Sequence, residues 1–595
     1  MAAPPVTSSA RRRTAGRVVA WVLGIGLVVA VLGAVWIGVS ALLAFGHVRA
    51  AQNAAADVSL DMADIGKAAA TLDRVAAETS AARALTSGPV WSAAAALPWV
   101  GPQLSAVTTT ITSIDDVASD GVRPLVDAAE NVSIASLRPH GGAFDLSAFA
   151  TLHTAAAQSV ADVDRADAAV QSIDTSVLLP ALRAPITSAA DFLDRTRSTV
   201  DGLAQATALL APVLGGNGPR DYLVVFQNNA EWRSLGGIAG AMTVLHTDAG
   251  RITLGQQASG ADFRRYSDPV LPLSDDLVQV FSRRPGLFMQ NVTQVPDFPT
   301  TAALARAMWA GRTGQQVDGV ISLDPVALSY ILAATGPVKL PSGDTLTSAN
   351  AVSLLLNEVY LRYPKPADQD AFFAAATVAV FNSLASGSAD PGRLVKALAQ
   401  ADAESRVLMW STHPDEQEII EGTTLQGTLP ATNGDRTTFG VYLNDGTGSK
   451  MDYYLRVASA TTWCTDTEGS PDAALTVTLR NDAPADAASL PWYITGGGVY
   501  GVPDGSAKTV AYLFLPAGSS TVFTDSTGGG AGGFGSGTYE GHPVVTWTTQ
   551  LAPGEQASAT VRVRTPQTAE LGAQMTPVIP QSQAAPFAAE CSRKG

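Results

Sequence analysis

The chain has 595 residues, of which 46% are hydrophobic and 15% charged. At roughly 100–200 residues per domain this predicts three to four domains, and the low charge with ample apolar content excludes a solvated, disordered polymer. A formal net charge of −15 excludes a general nucleic-acid binder, and two cysteines exclude zinc-finger, iron–sulfur and disulfide-dense scaffolds.

Val18 to Phe45 carries no charged residue. About 20 apolar residues cross a bilayer, so these 28 suffice with some tilt. Arg11, Arg12, Arg13 and Arg17 precede the stretch; Arg49, Asp57, Asp61 and Asp64 follow it. The positive-inside rule therefore predicts a cytoplasmic tail at 1–17, one transmembrane helix at 18–45, and an extracytoplasmic remainder at the cell membrane. The alternative is a cleaved signal peptide, but its apolar region would span about 7–15 residues and end at a small-residue cleavage site.

Residues 46–214 read as an extracytoplasmic helical stalk or bundle. They are rich in Ala, Ser, Thr and Asp, and Met62, Ile65, Ala69, Leu72 and Ala76 follow a heptad seam. Gly88-Pro89, Leu97–Gln103 and Arg138–Gly142 break the helices. A spacer is the expected role, and a partner-binding coiled coil the alternative.

A central α/β domain is expected at 217–412. Asp221–Asn228 is a dense β-run, and Gly240–Leu254 reads as two strands around an Asp-Ala-Gly turn. Helices are predicted at Phe298–Gly311, Val326–Gly336, Ser348–Tyr360 and Asp370–Leu384, with a buried strand at Val317–Pro325. Between the first strands, QNNAEWRSLGGIAG places Gln227, Asn228, Asn229, Glu231 and Arg233 at a strand end, where open α/β sheets bind ligands. Arg233 suits bidentate recognition of phosphate or carboxylate, and Glu231 could hold a divalent cation or orient Arg233. Gly236 and Gly237 would let backbone N–H groups approach an anion. The alternative is an Asn/Gly turn closed by a local Glu231–Arg233 pair.

The string YLVVFQNNAEWRSLGGIAG, with VPDFPTTA, QVDGVISLDPVALSYILAATGPV and NDGTGSKMDYYLRV, closely resembles the bacterial domain-of-unknown-function 4012 family. That resemblance implies single-pass envelope proteins associated with surface-polysaccharide genes. The element order more weakly resembles the LytR-CpsA-Psr phosphotransferases, which move glycopolymers from a polyprenyl-pyrophosphate carrier onto the cell wall. This second resemblance implies an anion site using Glu231 and Arg233, with Arg264 or Arg265 substituting for one missing arginine. Arg362 and Asp370 are its remaining matches, Asp370 as a second metal candidate, and Mg would be the cofactor. A phosphoryl-transfer site needs several convergent cations or a metal, and the thinned arginines weaken catalysis more than binding.

The six histidines show no zinc-ligand spacing, and no G-x-S-x-G elbow occurs. Ser526–Gly537 is Gly-rich without the ending of a phosphate loop and reads as a flexible surface loop. From 439 to 566 alternating strands predict an Ig-like β-sandwich, followed by a C-terminal tail at 567–595. Cys464 and Cys591, outside the membrane on this topology, are expected to form a disulfide; two free buried thiols are the alternative.

Three functions follow. One is a membrane-anchored envelope protein binding a phosphorylated, lipid-linked or wall glycan. The second is a metal-dependent phosphotransferase on polyprenyl-linked glycans. The third is a structural envelope protein without ligand. Nucleic acid is not an expected partner.

Overall fold

The computed structural model describes residues 9–56, 65–132, 138, 139, 141–387, 389–430, 436–465, 469–566, 569–585, 587 and 591. Asp57, Asp61, Met62, Asp64 and His140 lie outside the described residues. The chain divides into two compact units, Met1–Ser133 with Ser147–Ala208, and Ile134–Leu146 with Leu209–Gly595.

The first unit is helical: α1 Ser9–Ala56, α2 Ile65–Thr86, α3 Pro89–Ala95, α4 Gly101–Asp116, α5 Arg123–Asn131, α6 Leu146–Gln171 and α7 Pro180–Val213. Helix α1 is unbroken over 48 residues, so helix begins ahead of the expected membrane segment and continues past Phe45. Among the described residues it is the one helix long and apolar enough to cross a membrane. Its environment changes along its length. Ile25, Leu27, Val28, Val29, Val31 and Leu32 are exposed, whereas Ser40, Ala44, Ala51 and Ala54 are buried. Ala44 packs against Ala82 of α2 and Ile111 of α4. Alanines with no side chain beyond Cβ let these helices approach closely, which is why the seam is small rather than leucine-rich. Arg83 of α2 donates to Asp115 (3.1 Å) and Asp116 (2.6 Å) of α4. Val163, Val170, Ile186, Leu193 and Val200 form the core between α6 and α7.

The second unit opens with β1 Arg220–Asn228, β2 Ile238–Asp248, β3 Arg251–Ser259 and β4 Gly319–Leu323. A two-stranded pair, β5 Val338–Lys339 and β6 Thr345–Leu346, and then β7 Val407–Ser411 follow. The main sheet has the order β3-β2-β1-β4-β7. Only β1 and β4 run parallel in it. The β2–β3 hairpin turns through Ala249 (φ 45°) and Gly250 (φ 83°), the left-handed pair that a two-residue turn requires. Between β3 and β4 run α8 Asp275–Phe281 and α9 Phe298–Thr313. The Asp297 side chain caps α9 by accepting from the Thr300 N–H at 3.0 Å. Phe298, Ala302, Ala305, Met308 and Trp309 of α9 pack on Leu223, Val225, Met242 and Val244 of the sheet.

The rest of the unit is two β-sheets. Their strands are β8 Arg436–Asp445, β9 Leu455–Thr465, β10 Pro471–Asn481, β11 Ala507–Phe514, β12 Ser520–Gly528, β13 Ala531–Tyr539, β14 His542–Leu551, β15 Gln556–Arg564 and β16 Glu570–Met575. The sheets are ordered β12-β15-β10-β9 and β13-β14-β11-β8-β16. Val457, Leu475, Val477, Ala559 and Val561 from one face meet Val441, Leu443, Leu513 and Trp547 from the other. Two expectations change here. The stretch read as a tail contributes β16, which pairs in parallel with β8. The Gly-rich stretch read as a flexible loop lies largely in β12 and β13. Its glycines are contact residues: a Cβ on Gly532 would stand 2.2 Å from the Thr548 carbonyl, and one on Gly535 would stand 2.6 Å from Thr546 Oγ1. Glycine is there for close backbone approach, not for mobility.

Cys464 on β9 and Cys591 form a disulfide with Cα atoms 5.6 Å apart, within the usual range. The bond spans 127 residues and in the chain-entropy model stabilises by up to about 4–5 kcal/mol. Replacing both cysteines by serine is expected to lower the non-reducing melting temperature to that of the reduced wild type. Equal melting of oxidised and reduced wild type would show that the crosslink contributes nothing.

Candidate functional site

The β1–β2 loop begins where the ladder slips: the pairing register shifts between Phe226 and Gln227. That bulge turns the following polar run away from β2, and each side chain then finds a partner elsewhere in the same unit. Gln227 is buried; its Nε2 donates to Ser322 Oγ on β4 (2.8 Å) and its Oε1 accepts the Gly237 N–H (2.9 Å). Asn228 Nδ2 donates to the Tyr360 hydroxyl at 2.5 Å. Asn229 Nδ2 donates to Asp324 Oδ2 and to the Pro577 carbonyl, both at 3.0 Å. Asp324 is also held by Arg406 at 2.8 Å, whose guanidinium reaches the Val578 carbonyl at 2.7 Å. Asn229 and Arg406 together fasten the end of the chain to the sheet.

Glu231, Trp232 and Arg233 enter the junction with the two-sheet region. The Glu231 carboxylate accepts from the Lys450 ammonium. That ammonium sits 4.5 Å and 4.4 Å from the ring centres of Tyr360 and Tyr493, a cation–π cage. Trp232 is fully buried in the core shared with β8, β10 and β14. Its backbone N–H donates to Asp452 Oδ2 (2.7 Å) and its carbonyl accepts the Asp445 N–H (2.9 Å). Arg233 donates through Nε and one terminal nitrogen to Asn291 Oδ1 (3.3 and 3.1 Å) and through the other to the Trp232 carbonyl (2.7 Å). It stands 4.0 Å from Asp445 Oδ2. The local Glu231–Arg233 pair is thus replaced by two longer-range pairings, Glu231 with Lys450 and Arg233 with Asp445.

Gly236 has φ 132°, and a Cβ on Gly237 would fall 2.1 Å from the Asn228 carbonyl. Both glycines are needed for the turn itself. Their N–H groups are spent as well, Gly236 on the Arg233 carbonyl (2.8 Å) and Gly237 on Gln227. They leave no nest for an anion.

The electrostatics follow from burial. Three carboxylates, Glu231, Asp445 and Asp452, face two cations, Arg233 and Lys450. Burial works against the Lys450 charge, but the neighbouring Glu231 holds its pKa above the ordinary lysine value. Burial raises Asp445, with Arg233 opposing the rise. Asp452 is raised furthest, first by burial and then by the charge of Asp445. With Asp452 protonated the five groups balance, the least costly state for a desolvated cluster.

Of the other sequence-derived residues, Asp370 is near enough for its charge to act on Lys450 and Tyr493. Arg264 and Arg265 are exposed, Arg265 over the Phe288 ring at 5.7 Å. Arg362 is exposed and donates to both oxygens of Asp344 at 2.7 Å. Asp370 is exposed beside Ser259; partial burial of its carboxyl raises its pKa, and the charge of Asp262 adds to the rise. The four arginines do not converge on one cleft. Nor do the residues fit a magnesium site: Glu231 is already occupied by an ammonium, and among the described residues no group of three or more His, Cys, Asp or Glu is placed to hold a metal. Asn444, Asp445, Lys450 and Asp452 are the partners that sequence reasoning did not assign to the site. All four fall in NDGTGSKMDYYLRV, the later family-like motif.

Asp452→Asn tests the charge balance. A folded-state pKa above the unfolded value gives stability that is complete below the unfolded pKa and lost as pH rises toward the folded one. The Asn variant cannot ionise, so it should gain melting temperature relative to wild type at pH 8 and not at pH 4. Greater destabilisation at pH 8 than at pH 4 would show that Asp452 is held charged when folded, and an equal effect at both would show that its pKa is not shifted by folding.

Residues 217–360 match the model of the family described as "Protein of unknown function (DUF4012)". The recognition made on YLVVFQNNAEWRSLGGIAG is therefore right for that span, and the match does not reach the LytR-CpsA-Psr phosphotransferases. No curated protein matches the chain.

Proposed function

We propose that this is a single-pass, membrane-anchored protein of the bacterial cell envelope with a non-catalytic assembly role. Its helical unit acts as an extracytoplasmic stalk, and its α/β region and Ig-like sandwich act as one rigid body. One observation carries the reading: Gln227, Asn228, Asn229, Glu231 and Arg233 each bond a partner within the fold, although Asn229 Oδ1 and Trp232 Nε1 are buried without one. The apolar α1 supports the anchor. The disulfide supports an oxidising, extracytoplasmic setting.

A glycan-binding role is the second reading, at exposed aromatics next to the Lys450 cage, where Trp492 packs on Tyr493 with ring centres 5.3 Å apart. Trp492 and Tyr500 of the two-sheet region are 61% and 62% exposed, and aromatic faces of this kind suit stacking on an apolar sugar face. The phosphotransferase reading is the weakest, because its cations do not meet.

Arg233→Ala separates the assembly reading from a ligand site in the loop. Removing one partner of a buried pair leaves Asp445 desolvated, so stability should fall by about 3–5 kcal/mol. Arg362→Ala, at an exposed pair, should cost less than about 1 kcal/mol. Neither should alter titration with a polyprenyl-pyrophosphate analogue. If Arg233→Ala keeps the wild-type melting temperature and weakens that titration tenfold or more, the loop is a ligand site and the assembly reading fails.

A further inference from the structure

Two turns of the helical unit expose apolar side chains that its core does not need. In the α3–α4 turn Leu97, Trp99 and Val100 are 54%, 90% and 46% exposed. In the α6–α7 turn Val177 and Leu179 are 56% and 59% exposed. Gln103 ties the two turns together: its Nε2 donates to the Val177 carbonyl (3.0 Å), and its Oε1 accepts the Leu179 N–H (2.8 Å). The start of α3 lies against α1. A Cβ on Gly88 would stand 3.3 Å from the Trp36 ring, and one on Gly33 would stand 3.9 Å from Val90 Cγ1. The hairpin of α3 and α4 that carries the first part of the patch therefore packs on α1 near Gly33–Trp36.

That level coincides with a membrane boundary. Val18–Trp36 is 19 residues, or ~28 Å of helix, close to the ~30 Å hydrocarbon thickness. Extending to Phe45 gives 28 residues, or ~42 Å, the thickness of a bilayer with its headgroups. The charges agree. No charged residue lies between Arg83 and Asp115. Arg83 sits five residues back along α2 from Gly88, about 7 Å above the patch, where its bonds to Asp115 and Asp116 form the first charged layer. At the tip itself, Asp174 is engaged in capping Ser176, and the exposed Arg183 donates to the Leu178 and Ser176 carbonyls.

We propose that this tip, the α3–α4 and α6–α7 turns with Trp99 at its apex, inserts into the outer headgroup layer of the bilayer that α1 crosses. Lipid is the occupant because the patch is continuous with the exposed apolar surface of α1. A Trp at headgroup depth is the residue that interfaces favour. The helical unit would then be held at two points and could not swing freely about α1. The proposal rests on the anchor reading above.

The full chain, with its disulfide intact, is reconstituted into phosphatidylethanolamine–phosphatidylglycerol vesicles in two preparations, one containing lipid spin-labelled near the headgroup and one containing lipid spin-labelled deep in the acyl chain. Single cysteines replace Val28, Trp99, Val177 and Thr151 in turn and carry a fluorophore. Thr151 is exposed on α6, 20 residues from its tip end. The headgroup spin should quench labels at 99 and 177, and the deep spin the label at 28, at least about threefold more than either quenches the label at 151. Quenching at 28 alone would overturn the tip insertion and leave the anchor standing. No quenching at 28 would overturn the anchor and the insertion with it. Self-quenching between labels at 99 without lipid quenching would assign the patch to a second copy and overturn the proposal.

Discussion

A buried run of polar side chains must be matched by partners from elsewhere in the chain, and in this fold that requirement falls on the segment after β1. Desolvating Glu231 and Arg233 without partners would cost several kcal/mol each. Lys450 and Asp445, more than two hundred residues further on, supply those partners. The same demand fixes the backbone: Trp232 lies within the core of the two-sheet region, and Asn229 fastens the segment before Val578. The α/β sheet and the two β-sheets are therefore one compact unit rather than two domains on a linker. Breaking any one partner leaves a charge or an amide stranded in a dry interior.

Such a junction explains why a motif with the chemistry of an anion site does not behave as one. Phosphate recognition needs donors that are held in place but unspent. Here Arg233 faces Asn291, Asp445 and a carbonyl, and the Gly236 and Gly237 N–H groups are internal donors. The same residue types serve specificity of packing instead. A buried network of paired charges and amides favours one register between the sheet and the two-sheet region more than an apolar junction of similar area would.

Much of the architecture was legible. The apolar N-terminal helix, the strand and helix order from Asp221 to Leu384 and the main strands after Phe439 follow from hydrophobic period and turn residues. The disulfide follows from two cysteines and one topology. Three features were hidden for physical reasons. Glycines in β13 resemble a linker because composition does not reveal that β14 lies against Gly532 and Gly535. The packing of the end of α1 was hidden because an exposed alanine and an alanine buried against α2 read alike in sequence. The partners of Glu231 and Arg233 were invisible because pairing across two hundred residues leaves no local period. The one signal was that NDGTGSKMDYYLRV carries buried-compatible Asp and Lys side by side in an otherwise apolar β-region.

Native-state hydrogen exchange on the full chain tests the junction most directly. If the loop is part of the shared core, the amides of Trp232, Gly236 and Gly237 should exchange only by global opening of this unit, with the same free energy as Leu475 and Val477 in β10. Exchange of those three amides orders of magnitude faster than β10, under conditions where β10 stays protected, would show a loop that opens independently and would contradict the account.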